Sequence, residues 1–198
     1  MRDTGAADEH SADSAPDRAL RDELIALLPA LRAFAFSLTR DRSRADDLVQ
    51  ETLVKGWANL ERFEQGTNLR AWLFTILRNT FYSERRKAWR EVGDPDGEIS
   101  GRLAEKPAHD GRIALNEFLA AFMQLPDDQR EVLMLIGSKG FSYQEAAELC
   151  GCAVGTVKSR ANRGRKRLAE ILSLDPEQGI NFTDKATLAV ISGAGRSL

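Results

Sequence analysis

Histidine and cysteine are nearly missing: among 198 residues there are two of each. His10 and His109 both fall in segments whose composition reads as tail and linker, so no histidine is expected in a packed catalytic or metal site. Cys150 and Cys152 are too close for an easy bridge and too few for a four-ligand zinc site. They read as small packing residues in a reducing, cytoplasmic setting, with no metal. No run of about 18 apolar residues occurs, so no membrane span is expected. Charge of one sign is not in excess either. The balance of 28 Lys and Arg against 30 Asp and Glu leaves −2, which argues against a uniformly basic nucleic-acid coat and makes any basic site local. A Gly-rich phosphate loop with a following Lys, a His-Glu helical metal pair and a recognisable carboxylate dyad are all lacking. The sequence therefore argues against an enzyme, a cofactor and a small-molecule substrate.

Period-two alternation is equally scarce, whereas apolar residues recur at three and four positions from Leu20 onward. The expected fold is all-α, with two small helical domains joined by a flexible linker. Residues 1–18 read as a disordered acidic tail, 19–90 as the first domain, 91–111 as linker, 112–174 as the second domain and 175–198 as an extension of unknown role. In the first domain, Leu20, Leu24, Leu27, Leu31, Phe34 and Leu38 form one stripe that Pro29 is expected to break or kink. Ser43 with Asp46 fits a cap for a second helix, whose apolar stripe takes in Ala45, Leu48, Val49, Thr52, Leu53, Gly56 and Trp57. Asn68 can cap a third helix running to about Lys87. The linker is acidic, and its 21 residues could span about 70 Å at about 3.3 Å each, enough to let its neighbours part.

The second domain carries the sharpest signal. Ser142 to Glu145 is a capping box, Gly151 suits a tight turn, and from Val154 to Leu168 there are six cations and no acid. Short helix, glycine turn and basic helix make a helix-turn-helix, whose second helix enters the major groove of duplex DNA. Thr156, Lys158, Ser159, Arg160, Arg163, Arg165 and Lys166 are the candidate contacts, and so much charge implies steep salt dependence. A solvated basic face on a structural helix is the plainer alternative.

Two further faces carry candidates. Asp47, Glu51 and Lys55 lie four apart opposite the apolar stripe, flanked by Asp46, Gln50 and Val54, which suits a protein partner or a simple solvent face. On the third helix Phe74, Arg78, Tyr82 and Arg86 recur every four residues, with Asn79 and Arg85 alongside. Such an aromatic and basic strip could stack on bases and hold phosphates of single-stranded DNA, unless Phe74 and Phe81 belong to the core.

Leu125-Pro126, Gln129 to Leu133, Gly140 to Ala147 and Gly155 to Arg160 resemble the fourth domain of extracytoplasmic-function sigma factors of RNA polymerase. Ala45 to Thr52, Trp57, and Leu69 to Leu73 running on to Arg78-Asn79 resemble the second domain of that family, in the family's order. Gly137 to Tyr143 and Cys150 to Gly155 are most similar to the alphaproteobacterial general-stress-response group, often called EcfG-type. The resemblance implies that Asp46, Asp47, Gln50, Glu51 and Lys55 bind core RNA polymerase. It implies that Arg62, Phe63 and Asn68, in and beside the loop from Glu61 to Thr67, join Arg78, Asn79, Tyr82, Arg85 and Arg86 in holding the melted minus ten element of promoter DNA. It places the last helix on the minus thirty-five element, with Ser142 as a phosphate contact. A soluble anti-sigma factor is implied as a further partner. A sigma-like decoy that captures anti-sigma factors is the rival, but the 22 residues after Pro176 cannot make its receiver domain.

Overall fold

A computed structural model describes residues 15–63, 67–92, 110–138 and 140–174, and among these residues every regular element is a helix. Seven helices follow in order: α1 (Ala15–Thr39), α2 (Arg42–Ala58), α3 (Leu69–Val92), α4 (Asp110–Met123), α5 (Asp127–Leu133), α6 (Tyr143–Cys150) and α7 (Val154–Ile171). A 3-10 turn, Leu60–Arg62, follows α2, and a π-helical stretch, Met134–Ser138, continues α5. The expected tail and linker lie largely outside the described residues, as does the C-terminal extension. α1 reaches back to Ala15, α3 runs on to Val92 and α4 starts at Asp110, so the helices extend a few residues into both segments.

The three- and four-residue spacing does its work through burial. Leu31, Phe34 and Ala35 of α1, Leu48 and Val49 of α2, and Leu69, Leu73 and Leu77 of α3 are buried together. In the second half Leu125, Val132, Leu133, Leu135, Ala146, Val157, Ala161 and Leu168 do the same. Each large side chain removed from water contributes about 1.5–3 kcal/mol, which is what holds helices this short in place.

Three expectations about the first half are corrected. Of the break or kink expected at Pro29, the break does not occur, and α1 runs from Ala15 to Thr39 with the proline inside it. Pro29 and Ile25, whose carbonyl loses its hydrogen bond, both face solvent, so water can satisfy the group that proline leaves unpaired. The cap of α2 is Asp41, not Ser43: its side chain accepts from the Arg44 N–H at 2.8 Å, and Ser43 already lies in the first turn. Arg40, in the left-handed region at φ 57°, turns the chain so that Asp41 can reach. Trp57 is not core, being 61% exposed, while Gly56 beside it is buried.

The helix-turn-helix matches its sequence signals. Ser142 Oγ accepts from the Glu145 N–H at 3.1 Å and the Glu145 carboxylate accepts from the Ser142 N–H at 2.7 Å, closing the capping box on α6. Gly151 takes the left-handed conformation, φ 64°, that ends α6, and the next N–H, of Cys152, reaches back to the Ala147 carbonyl.

The two halves pack on each other. α1 lies against α5, α3 lies against α6, and buried residues of both halves form one cluster. Phe74 sits at this seam, stacked on Phe34 with ring centres 5.0 Å apart and edge-on to Phe141 at 5.2 Å. It is core, as the plainer reading had it, and drops out of the aromatic strip.

Candidate nucleic-acid and protein interfaces

The basic helix α7 presents one stripe to solvent. Lys158, Ser159, Asn162, Arg163, Lys166 and Arg167 are exposed, while Val157, Ala161, Gly164 and Leu168 face inward. Asn162 was absent from the sequence candidates; its place four residues from both Lys158 and Lys166 is the signal that could have found it. Not every candidate is equally available. Arg160 is paired to Asp128 at 3.0 Å, and both terminal nitrogens of Arg165 lie 3.4 Å from the Tyr143 hydroxyl, so these two side chains also brace α7 against its neighbours. Thr156 is half-buried, and its carbonyl accepts from Ser159 Oγ at 2.9 Å. Ser142 is exposed at the start of α6.

On α2, Asp46, Asp47, Gln50 and Lys55 are exposed and Glu51 is half-buried. Asp46 pairs with Arg32 at 3.2 Å. Glu51 and Lys55 form a 2.6 Å pair, and Lys55 also donates to the buried Thr80 hydroxyl at 3.1 Å, tying this face to α3. The Lys55 ammonium, with a hydrogen bond from Glu84, holds the Glu51 carboxyl below its usual range. Glu84 is shifted the other way, by burial first and then by Glu51. Val54, 68% exposed, and Trp57 share the face with Asp47 and Gln50 at helical spacing, adding an apolar centre to a rim of charge.

The α3 strip is brought together but not left open. Arg78 Nε donates to Glu131 at 2.7 Å and the Tyr82 hydroxyl donates to the other oxygen of Glu131 at 3.1 Å. Arg85 donates to Asp127 at 2.8 Å. Burial opposes the charge on Arg78, but the Glu131 carboxylate outweighs it and raises the guanidinium's pKa. Burial and that same carboxylate push the Tyr82 phenol up, so it stays a hydrogen-bond donor. Asn79 and Arg86 remain exposed beside the strip. Asn68 accepts from the Ala71 N–H at 3.0 Å, the cap expected of it, and reaches Glu145 at 3.3 Å. Phe63 packs on Trp72, ring centres 5.2 Å apart, and the Arg62 side chain lies outside the described residues.

The acids opposite this strip were not among the sequence candidates. Asp127 also accepts from Arg40 at 3.0 Å and Arg130 at 2.9 Å. Arg130 is fully buried, with Nε donating to the Ser37 carbonyl and Nη1 donating to the Leu125 carbonyl at 2.7 Å. It thereby satisfies one of the last carbonyls of α1, which a helix end leaves without an intrahelical partner. A charged pair, Arg130-Glu131, set directly before the apolar Val132-Leu133 was the available clue.

Comparison with known proteins agrees with both halves. The Sigma-70 region 2 model matches residues 24–91, and the Sigma-70 region 4 model matches residues 115–168. The chain is 51% identical to the ECF RNA polymerase sigma factor EcfG of Rhodopseudomonas palustris (strain TIE-1), over 89% of this chain and 97% of the relative. Its structure is similar to that of the sigma factor RpoE in complex with the anti-sigma factor NepR from Bartonella quintana, with TM-score 0.70 and 53% identity over 80% of this chain and 99% of the other. It is also similar to CnrH in complex with the cytosolic domain of CnrY, with TM-score 0.55 and 28% identity over 79% and 88%.

Proposed function

The chain belongs to the extracytoplasmic-function sigma factors of bacterial RNA polymerase, a family of non-catalytic specificity subunits, and from that premise we propose how its surfaces share the work. The α7 stripe of Lys158, Ser159, Asn162, Arg163 and Lys166 reads the minus thirty-five duplex, with Ser142 of α6 near a phosphate. Arg160 and Arg165 contribute there after releasing, or while keeping, their bracing contacts with Asp128 and Tyr143.

The α2 face docks on core polymerase. Val54 and Trp57 form the apolar centre of that contact, and Asp46, Asp47, Gln50, Glu51 and Lys55 form its polar surround. The strip of Arg78, Asn79, Tyr82, Arg85 and Arg86, with Arg62, Phe63 and Asn68, holds the melted minus ten strand. The segment between α3 and α4 serves as the tether that lets the two DNA-reading halves reach elements about two helical turns apart. RpoE, to which the chain is similar, forms a complex with the anti-sigma factor NepR, and by this reading a small soluble anti-sigma factor controls the present chain in the general stress response.

The observation that carries this reading is the exposed basic stripe of α7, with no acid from Val154 to Leu168, set on a capped α6 by the Gly151 turn. The experiment is transcription in vitro from fragmented genomic DNA by core RNA polymerase with and without the protein. New start sites sharing two spaced upstream motifs are expected. No new start, with folded protein and active core, would defeat the reading.

A further inference from the structure

Resting on the reading that the α3 strip holds single-stranded promoter DNA, we propose that Asp127 and Glu131 of α5 are an internal competitor for that strip. They stand in for nucleic-acid phosphates and hold the free chain closed. Three of the groups that would take a strand are each bonded to a carboxylate of the other half: Arg78 and Tyr82 to Glu131, and Arg85 to Asp127. The two acids are one helical turn apart, which spaces their charges by about 6 Å along α5. The resemblance to a bound strand extends to stacking. The Phe141 ring, just beyond α5, lies 3.9 Å from the guanidinium carbon of Arg70 at the start of α3, as a base would lie on an arginine plane.

The surrounding charges keep Asp127 anionic. Three arginines, Arg40, Arg85 and Arg130, converge on Asp127 within 3.0 Å. Glu131 is almost wholly buried and takes both of its strong hydrogen bonds from α3. Carboxylate and strand phosphate cannot occupy one guanidinium edge together, so closure and strand binding exclude each other. By linkage, a strand that binds must open the chain, and a change that opens the chain must tighten the strand. A sigma factor built this way has its strand-binding surface covered until something holds the halves apart.

The test uses the full-length chain and a fluorescein-labelled single-stranded DNA of random sequence, about 12 nucleotides long. Unlabelled duplex DNA in excess occupies α7. Anisotropy gives the affinity and small-angle X-ray scattering gives the radius of gyration. Asp127→Asn with Glu131→Gln keeps shape while removing charge; far-UV circular dichroism checks folding, and the half-exposed Asp127→Asn alone serves if the double variant does not fold. The expected result is a larger radius and binding about 5- to 150-fold tighter, the range usual for coupled sites. Expansion of the unsubstituted chain on adding the oligonucleotide is the reciprocal expectation. A variant that opens without tighter binding would overturn the competition, and one that neither opens nor binds tighter would overturn the latch. Adding Arg78→Ala to the opened variant should abolish the gain. A gain that survives it would mean the strand binds elsewhere, which defeats the strip reading and this proposal together.

Discussion

Gly164 of α7 lies so close to Leu133 of α5 that a Cβ on it would stand 2.8 Å from Leu133 Cδ1. Leu133 is 1% exposed and Gln129 Cβ lies 3.3 Å from the same point, so the leucine has no free space to move into. This approach seats the DNA-reading helix on its support.

Gly164→Ala should therefore destabilise the protein, although alanine is the better helix former by about 1 kcal/mol. Overpacking costs about 1–3 kcal/mol and wins, leaving a net loss of about 1 kcal/mol in chemical denaturation. Gly155→Ala, on the same helix with nothing within 4 Å of the new carbon, is the contrast and should stabilise by about 0.4–1 kcal/mol. Equal effects at the two positions would remove the close approach from the account.

Trp57 separates an interface from a core. A buried tryptophan cut to alanine costs about 3–5 kcal/mol, whereas a surface substitution usually stays within about 0.5 kcal/mol. At 61% exposure Trp57→Ala should leave the melting transition nearly unchanged. Its effect should appear in affinity for core polymerase, which should fall at least tenfold if Trp57 is the anchor of the apolar centre.

These cases show where sequence was enough. The capping box at Ser142, the turn at Gly151, the inward set Val157, Ala161, Gly164 and Leu168, and the cap at Asn68 are local features, fixed by neighbours within four residues, and all were readable. Trp57 was misplaced because its spacing fits the edge of the apolar stripe, and only the position of α3 decides which side of that edge is covered. Arg40, Asp127, Arg130 and Glu131 were missed for a related reason. Each finds a partner in the other half of the chain, up to 93 residues away, and no periodicity reports such contacts.

The Asp127 cluster makes stability depend on acid. Burial works to raise this carboxyl, but Arg85, Arg130 and Arg40 outweigh it and hold it below the ordinary carboxylate range. A depressed folded-state pKa contributes stability above the unfolded value, near about 3.9, and loses it as pH falls through the folded value. Denaturation midpoints of the unsubstituted chain should therefore drop as pH goes below about 4. Asp127→Asn should be less stable at pH 7 and converge on the parent in acid. Parallel curves over that window would show that the three arginines lend Asp127 no stabilising charge interaction.

Salt dependence resolves which cations of α7 touch phosphate. Lys158, Arg163 and Lys166 are exposed on one stripe with no acid among them, so binding to duplex promoter DNA should weaken steeply as salt rises. A cation that neutralises a phosphate contributes about 0.9 to the slope of log affinity against log salt, so Lys166→Ala should lower that slope by about one and weaken all duplex sequences alike. A residue reading a base edge behaves differently. If Arg163 makes such a contact, Arg163→Ala should cost about 1–3 kcal/mol on the promoter and flatten preference at one base pair. Arg160→Ala should show a mixed pattern, because it also frees Asp128, whose carboxylate would then repel the DNA. For all three variants the affinity for core polymerase should stay unchanged, since the α2 face lies in the other half of the chain. An equal loss of polymerase binding would mean that α7 supports the whole fold rather than one of its DNA contacts.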